Sequence, residues 1–549
     1  MTNTKANESM RTSIARVIIK NYRRFEKLDI NFDSGINILV GTNEAGKTSL
    51  LEAINLTLTG RINGRWAPEE LNPYWFNLQT TTDYFDSYDV SKPQLPPEIS
   101  IEVFLTSNDP DVLRLQGENN SLREEACGLK IQISLDPDFA TEFSHYMSRK
   151  NAPQLLPTEF FSLRWSGFNS EDRLSRRPKG IRLAQVDTRT QRSQHGVDYF
   201  TRQLLVNHIS PSDSANLSAS IRIVSNKLTD RYLKDINEKL KQQPGETPEA
   251  LGVQLDQSSI NSWHNSIVPE VGSVPFAMAG QAQQATAKIE LAMLRSMEST
   301  DIVLIEEPEN HLSHTRLRKL VDRLCELAKG RQLILTTHSS FVLNRLGLDH
   351  LRLLDDGKSS GMGELNSVDS RFFQKLPNFD TLRLVLADKV ALVEGPSDQM
   401  ILDRAIKEKT GVSSEKHGID IISVDGTKFK RWLELAKLLR KPTVALRDSD
   451  GESEKYWREK YAESLGDNGQ LFVGDPTLGR TLEPQLVTAN KENQDKIKEE
   501  LGINQHSDLG AWMTKNKTEA ALRLVELPEG EFVYPDYILR AVEALRVDK

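Results

Sequence analysis

The chain has 549 residues, 38% of them hydrophobic, with 70 Lys and Arg against 78 Asp and Glu and a net charge of −8. That length holds two or three domains, each with its own core. Only Cys127 and Cys325 are present, which excludes a cysteine-rich zinc module and gives no disulfide scaffold. No apolar run reaches membrane length and no signal peptide is evident, so a cytoplasmic chain without membrane contact is expected. An acidic balance does not exclude nucleic acid, because binding follows local patches.

Ile36–Val40 reads as a buried strand and Ser49–Asn55 as the start of a helix. Between them lies Gly41-Thr-Asn-Glu-Ala-Gly46-Lys47-Thr48, which fits the phosphate-loop pattern at every fixed position. Its glycines let the backbone wrap a phosphate, and the first N–H groups of the helix face the anion. Asn43, Gly46, Lys47 and Thr48 are the candidate contacts to ATP. Lys47 is placed to neutralise the β/γ-phosphates and Thr48 to hold Mg²⁺.

Residues 61–97, rich in Pro, Asn and aromatics, read as irregular. Pro97–Leu105 and Gly128–Leu135 read as strands. Arg164–Arg202 carries Arg173, Arg176, Arg177, Lys179, Arg182, Arg189 and Arg192 with few acids between, either a nucleic-acid or partner surface or a solvated loop face within the ATPase insertion. Ala215–Gln243 has helical spacing, and after the break Pro244–Pro248 a second helix is expected over Ala250–Ile267.

Asp301-Ile-Val-Leu-Ile-Glu306-Glu307 is an apolar strand ending in carboxylates, a Walker B pattern. Glu306 is the candidate Mg²⁺ ligand and Glu307 the candidate base for the attacking water. The helix Leu312–Lys329 and the strand Gln332–Thr337 follow, then His338, which is placed to contact the γ-phosphate.

After about residue 380 strands and helices alternate: Lys389–Val393, Gln399–Lys409, Ile419–Val424, Lys428–Leu439 and Thr443–Leu446. Alternation predicts a parallel sheet whose ligands gather at the carboxyl ends of the strands. Glu394 with Asp398, and Asp448 with Asp450, fall at such ends. Clustered carboxylates repel one another unless a cation shares them, and oxygen-only donors suit Mg²⁺ or Mn²⁺. Two such ions roughly 3.5–4 Å apart can serve phosphodiester cleavage.

The first half resembles the ABC-type ATPase heads of the SMC, RecF and OLD groups, and the Glu-Gly-x-x-Asp and Asp-x-Asp pair resembles a Toprim domain. Together they resemble the OLD (overcoming lysogenization defect) nucleases, including those of Gabija- and retron-type defence systems. The resemblance implies an α/β chain: an ABC-type P-loop ATPase head over 1–380, with a helical dimerisation insert at about 212–268, then a Toprim nuclease domain over 381–549. It makes Phe276–Gln284 the signature segment, with Gln283 reaching the nucleotide of a second head, although Ser and the second Gly of the usual signature are missing. Gln79 is the candidate Q-loop residue. It implies metal binding by Glu394, Asp398, Asp448, Asp450 and Glu483, and a catalytic Lys517, with Lys515 the competing assignment. Implied cofactors are ATP and Mg²⁺, with Mn²⁺ possible at the Toprim site. Implied partners are DNA, a homodimer or higher oligomer, and a second defence component, either a helicase-like protein or a reverse transcriptase with its nucleic acid. The alternative is a RecF-like repair ATPase whose Toprim fold only docks.

Overall fold

The computed structural model describes residues 12–42, 44–89, 92–149, 154–170, 173–188, 201, 205, 209–242, 252–255, 267–294, 300–310, 312–355, 358–361, 381–424 and 428–545. The chain forms two compact units, Met1–His338 with Leu354–Ser360, and Ser339–Leu353 with Gly361–Lys549.

The first unit holds two sheets. One is antiparallel, in the order Phe25–Asn31, Ser13–Tyr22, Ile99–Thr106, Ala126–Leu135, with Phe161–Gly167 and Gln116–Gly117 also paired to Ala126–Leu135. Alternate residues such as Val17, Ile19, Leu28 and Ile30 point into the core, as period-two patterning requires. The other sheet is parallel, with Leu183–Asp187, Ile302–Glu306, Gln332–Thr336 and Ile36–Val40 side by side, continued by the strands that carry Leu354–Ser360. Its strands are short apolar runs buried almost throughout, the pattern of a parallel sheet covered on both faces. The helix Lys47–Thr59 packs Leu50, Leu51, Ile54, Leu56 and Leu58 into the core. Gln332 ties the sheets together: its carbonyl accepts from Ile14 N at 2.7 Å and its amide donates to the Ile14 and Asp33 carbonyls at 2.7 and 2.8 Å.

Several expectations need correction. Residues 61–97 are largely ordered, with the helix Leu78–Ser87 capped by Asn77. The strands Phe161–Gly167 and Leu183–Asp187 lie within or beside the basic stretch. Arg182, counted in that stretch, makes a paired hydrogen bond to the fully buried Asp301, so it is a structural cation. Arg173, Arg176, Arg177 and Lys179 are exposed, while Arg189 and Arg192 lie outside the described residues. Ala215–Gln243 is two helices, Pro211–Tyr232 and Lys234–Gln242. Of the second helix expected at Ala250–Ile267, residues 252–255 are not helical, and most of the rest lies outside the described residues.

The second unit is built on a parallel sheet in the order Ile419–Ser423, Lys389–Val393, Thr443–Arg447, Gly469–Val473. The helices Pro396–Thr410, Phe429–Leu438 and Glu454–Leu465 connect them, and five further helices follow from Leu482 to Ala544. Because the strands run the same way, their carboxyl ends share one edge. Glu394 and Asp448 are the residues immediately after two adjacent strands.

Candidate active sites

In the first unit, Gly46 precedes the helix Lys47–Thr59 with φ of +88°, and a Cβ there would come within 2.6 Å of the Phe25 ring. A Cβ on Gly41 would meet the Leu354 carbonyl oxygen at 2.6 Å, so both fixed glycines are steric requirements. The loop opens on a cavity lined by Arg24, Gly46, Lys47, Thr48, Glu307 and His338. Lys47 Nζ donates to the Gly41 and Thr42 carbonyls at 2.9 and 2.7 Å. Burial lowers its pKa, against the opposing pull of Glu307, Glu306 and Glu309. Thr48 Oγ1 donates to Glu306, which closes the strand Ile302–Glu306. Two candidate Mg²⁺ ligands thus meet in one place.

Glu307 adopts a left-handed φ of +44°, fixed by its N–H, which donates to the Thr336 carbonyl at 3.1 Å. Its carboxylate accepts from Asn310 at 2.9 Å and lies 3.4 Å from His338 Nε2. Burial, and then the nearby Lys47, lower the pKa of His338, against the opposing pull of Glu307. Glu309, which sequence reasoning did not assign, accepts from the His338 N–H at 2.5 Å and from Thr337 Oγ1 at 2.8 Å, and so fixes the loop that carries His338. Arg24, also missed, reaches the cavity from the turn after Tyr22 and pairs with Glu44 at 2.9 Å. Gln283 is exposed and accepts from Gly280 N; it does not line the phosphate-loop cavity of its own chain. Gln79 is exposed and bound to Asp83, and does not line that cavity either. Asn43 lies outside the described residues.

In the second unit, Glu394, Asp398, Asp448, Asp450, Glu483 and Lys517 come to one edge of the sheet. Glu394 Oε1 accepts from Asp448 N at 3.2 Å. Asp398 accepts from Gly395 N at 3.0 Å. Glu483 is buried, accepts from Thr481 Oγ1 at 2.7 Å and pairs with Lys517 Nζ at 3.2 Å. This contact joins Lys517 to the cluster. Burial first, then the neighbouring carboxylates, push Asp448 up to about 8 and Asp398 up to about 7. Glu394 is raised by burial as well. The buried Tyr537 hydroxyl, which the sequence did not flag, is held far above the ordinary phenol range by burial and by the same acids.

One cation was also missed. Arg447, the last residue of the strand Thr443–Arg447, places Nη2 at 3.1 Å from Glu394 Oε1 and 2.6 Å from Asp450 Oδ2. A lone Arg after an apolar run reads as a strand-end charge, and only the fold shows it buried.

The donor chemistry fits divalent cations. The donors are all carboxylate oxygens, and buried Asp448 Oδ1 has no hydrogen-bond partner among the described residues. Among those residues no three carboxylates yet converge as an ion requires, so side chains must rotate to share one. Asp450 has room to do so, being half exposed.

The two sites define the class: a P-loop ATPase unit followed by an acidic α/β unit. A family model described as "AAA domain, putative AbiEii toxin, Type IV TA system" matches residues 36–344, and the chain belongs to that family. A second, the TOPRIM domain of overcoming lysogenization defect-like proteins, matches residues 385–450, so the chain joins an AAA ATPase domain to an OLD-like TOPRIM domain. Over 526 residues it is 22% identical to "Endonuclease GajA" of Bacillus cereus (strain VD045), covering 88% of this chain and 82% of that one. A 42-residue stretch is 55% identical to the DNA replication and repair protein RecF of Mannheimia succiniciproducens, covering 8% of this chain and 12% of that one. The C-terminal region of the Xanthomonas campestris pv. campestris OLD protein is 25% identical, covers 29% of this chain and 94% of its own, and has a TM-score of 0.23. No described helix is long and apolar enough to cross a membrane.

Proposed function

We propose that this chain is an ATP-controlled, divalent-metal-dependent DNA endonuclease or nickase of the OLD type, acting in anti-phage defence as a dimer or higher oligomer. One observation carries the nuclease reading. Buried carboxylates crowd the carboxyl ends of parallel strands, and among the described residues Asp448 Oδ1 has no hydrogen-bond partner. The family and the resemblance to an endonuclease over most of the chain support it.

Mg²⁺ or Mn²⁺ held by Glu394, Asp398, Asp448, Asp450 and Glu483 would supply a Lewis acid for the phosphodiester and a more acidic water. Lys517, half exposed and steadied by Glu483, offers its ammonium to charge developing on the scissile phosphate. Arg480 is exposed, lies across Gly451 beside Asp450, and has no carboxylate partner among the described residues; it suits a flanking DNA phosphate. In the first unit Lys47 would meet the β/γ-phosphates of ATP, Thr48 and Glu306 would hold Mg²⁺, and Glu307, 3.4 Å from His338, would accept a proton from the attacking water.

The test is plasmid cleavage with Mg²⁺ or Mn²⁺. Wild type nicks or linearises the plasmid, EDTA stops it, and Glu394→Ala abolishes cutting while ATP binding stays normal. Normal cutting by purified Glu394→Ala refutes the site. Inertness of the wild type favours a docking role for the second unit.

A further inference from the structure

Resting on the metal-nuclease reading, we propose that the Arg447 guanidinium is a tethered counter-cation that occupies the corner between Glu394 and Asp450 and competes there with a divalent ion. Three contacts hold it in place. Nη1 donates to Tyr461 Oη at 2.7 Å, Nε donates to the Asp448 carbonyl at 3.2 Å, and the guanidinium carbon sits 3.6 Å from the Trp457 ring centroid. Nη2 then reaches both Glu394 and Asp450, and the side chain is only 6% exposed. Of the partners, Asp450 is the one free to move. It is 52% exposed and sits on a left-handed turn with φ of +52°. The guanidinium lies where two carboxylates meet, in a site where no three described carboxylates converge.

An incoming ion therefore meets a fixed positive charge and must draw Asp450 out of an ion pair. The repulsion is substantial at these separations even with the effective dielectric of a protein surface. The penalty is common to all divalent ions, so it lowers the affinity for Mn²⁺ and Mg²⁺ alike and leaves the preference between them unchanged.

The experiment is calorimetric titration of Mn²⁺ into the full-length protein without DNA or ATP. Arg447→Met is expected to bind Mn²⁺ roughly tenfold tighter or more, since one unit charge is removed beside the ion. Arg447→Lys keeps the charge and stays near wild type. Damage to the fold cannot produce a tighter site. Unchanged or weaker Mn²⁺ binding by folded Arg447→Met overturns the proposal. If that variant does not fold, Tyr461→Phe releases one anchor and should also tighten binding; no change there overturns it equally. Failure of both wild type and folded Arg447→Met to bind Mn²⁺ overturns the metal reading and this inference together, whereas normal wild-type binding with an unaltered Arg447→Met removes only the role of Arg447.

Discussion

Glu307 sits in a backbone region that side chains seldom occupy, and its carboxylate is held from two sides, by Asn310 and by His338. A strained residue with so well defined an orientation fits a base for water better than a structural acid. Glu307→Gln is expected to bind ATP normally and to hydrolyse it roughly 10²-fold or more slowly, the usual worth of a positioned base. Phosphate release beside binding of a fluorescent ATP analogue separates the two, and a normal rate removes the assignment. Lys47→Ala should lose nucleotide binding itself, because the main phosphate cation goes. Glu306 and Glu307 were legible because an apolar run ending in acids has few other uses. Arg447, Glu309 and Tyr537 were not, since their importance comes from burial among groups distant in sequence.

Three strands of each parallel sheet were readable because five-residue apolar runs bounded by turns admit few other structures, while Gly469–Val473, Leu351–Asp355 and Lys358–Gly361 were not read from the sequence. Leu183–Asp187 was hidden inside a stretch whose arginines drew attention to charge, and Leu78–Ser87 inside one whose Pro and Asn suggested loops. The helices Pro211–Tyr232 and Lys234–Gln242 leave Ile223, Leu228 and Ile236 exposed. Apolar residues repeated along two helices and open to water are costly unless a partner covers them. Leu228→Glu with Ile236→Glu should leave the thermal midpoint of the protomer unchanged and lower the mass measured by light scattering. A constant mass makes these helices a lid. At the basic loop, replacing Arg173, Arg176 and Arg177 with Ala should weaken DNA binding and flatten its salt dependence by roughly one unit of slope per lost phosphate contact. An unaltered slope points to a solvated loop.

At the scale of the whole molecule, the acidic site ties stability to pH. Asp448 and Asp398 titrate near 8 and near 7 in the folded protein but at ordinary carboxylate values when unfolded. Between those limits the folded state holds protons that the unfolded chain has released. Stability of the metal-free protein therefore falls as pH rises from about 4 to about 8. A divalent ion replaces those protons, so the thermal shift on adding Mn²⁺ should be larger at about pH 8.5 than at about pH 5.5. Equal shifts would show that the acids are ionised without help. The chain path has a different consequence. It leaves the first unit after His338, returns for Leu354–Ser360, and leaves again. Within the second unit the Thr381 hydroxyl donates to Asn344, a residue from the earlier visit. A single break in the chain therefore does not separate one whole unit from the other.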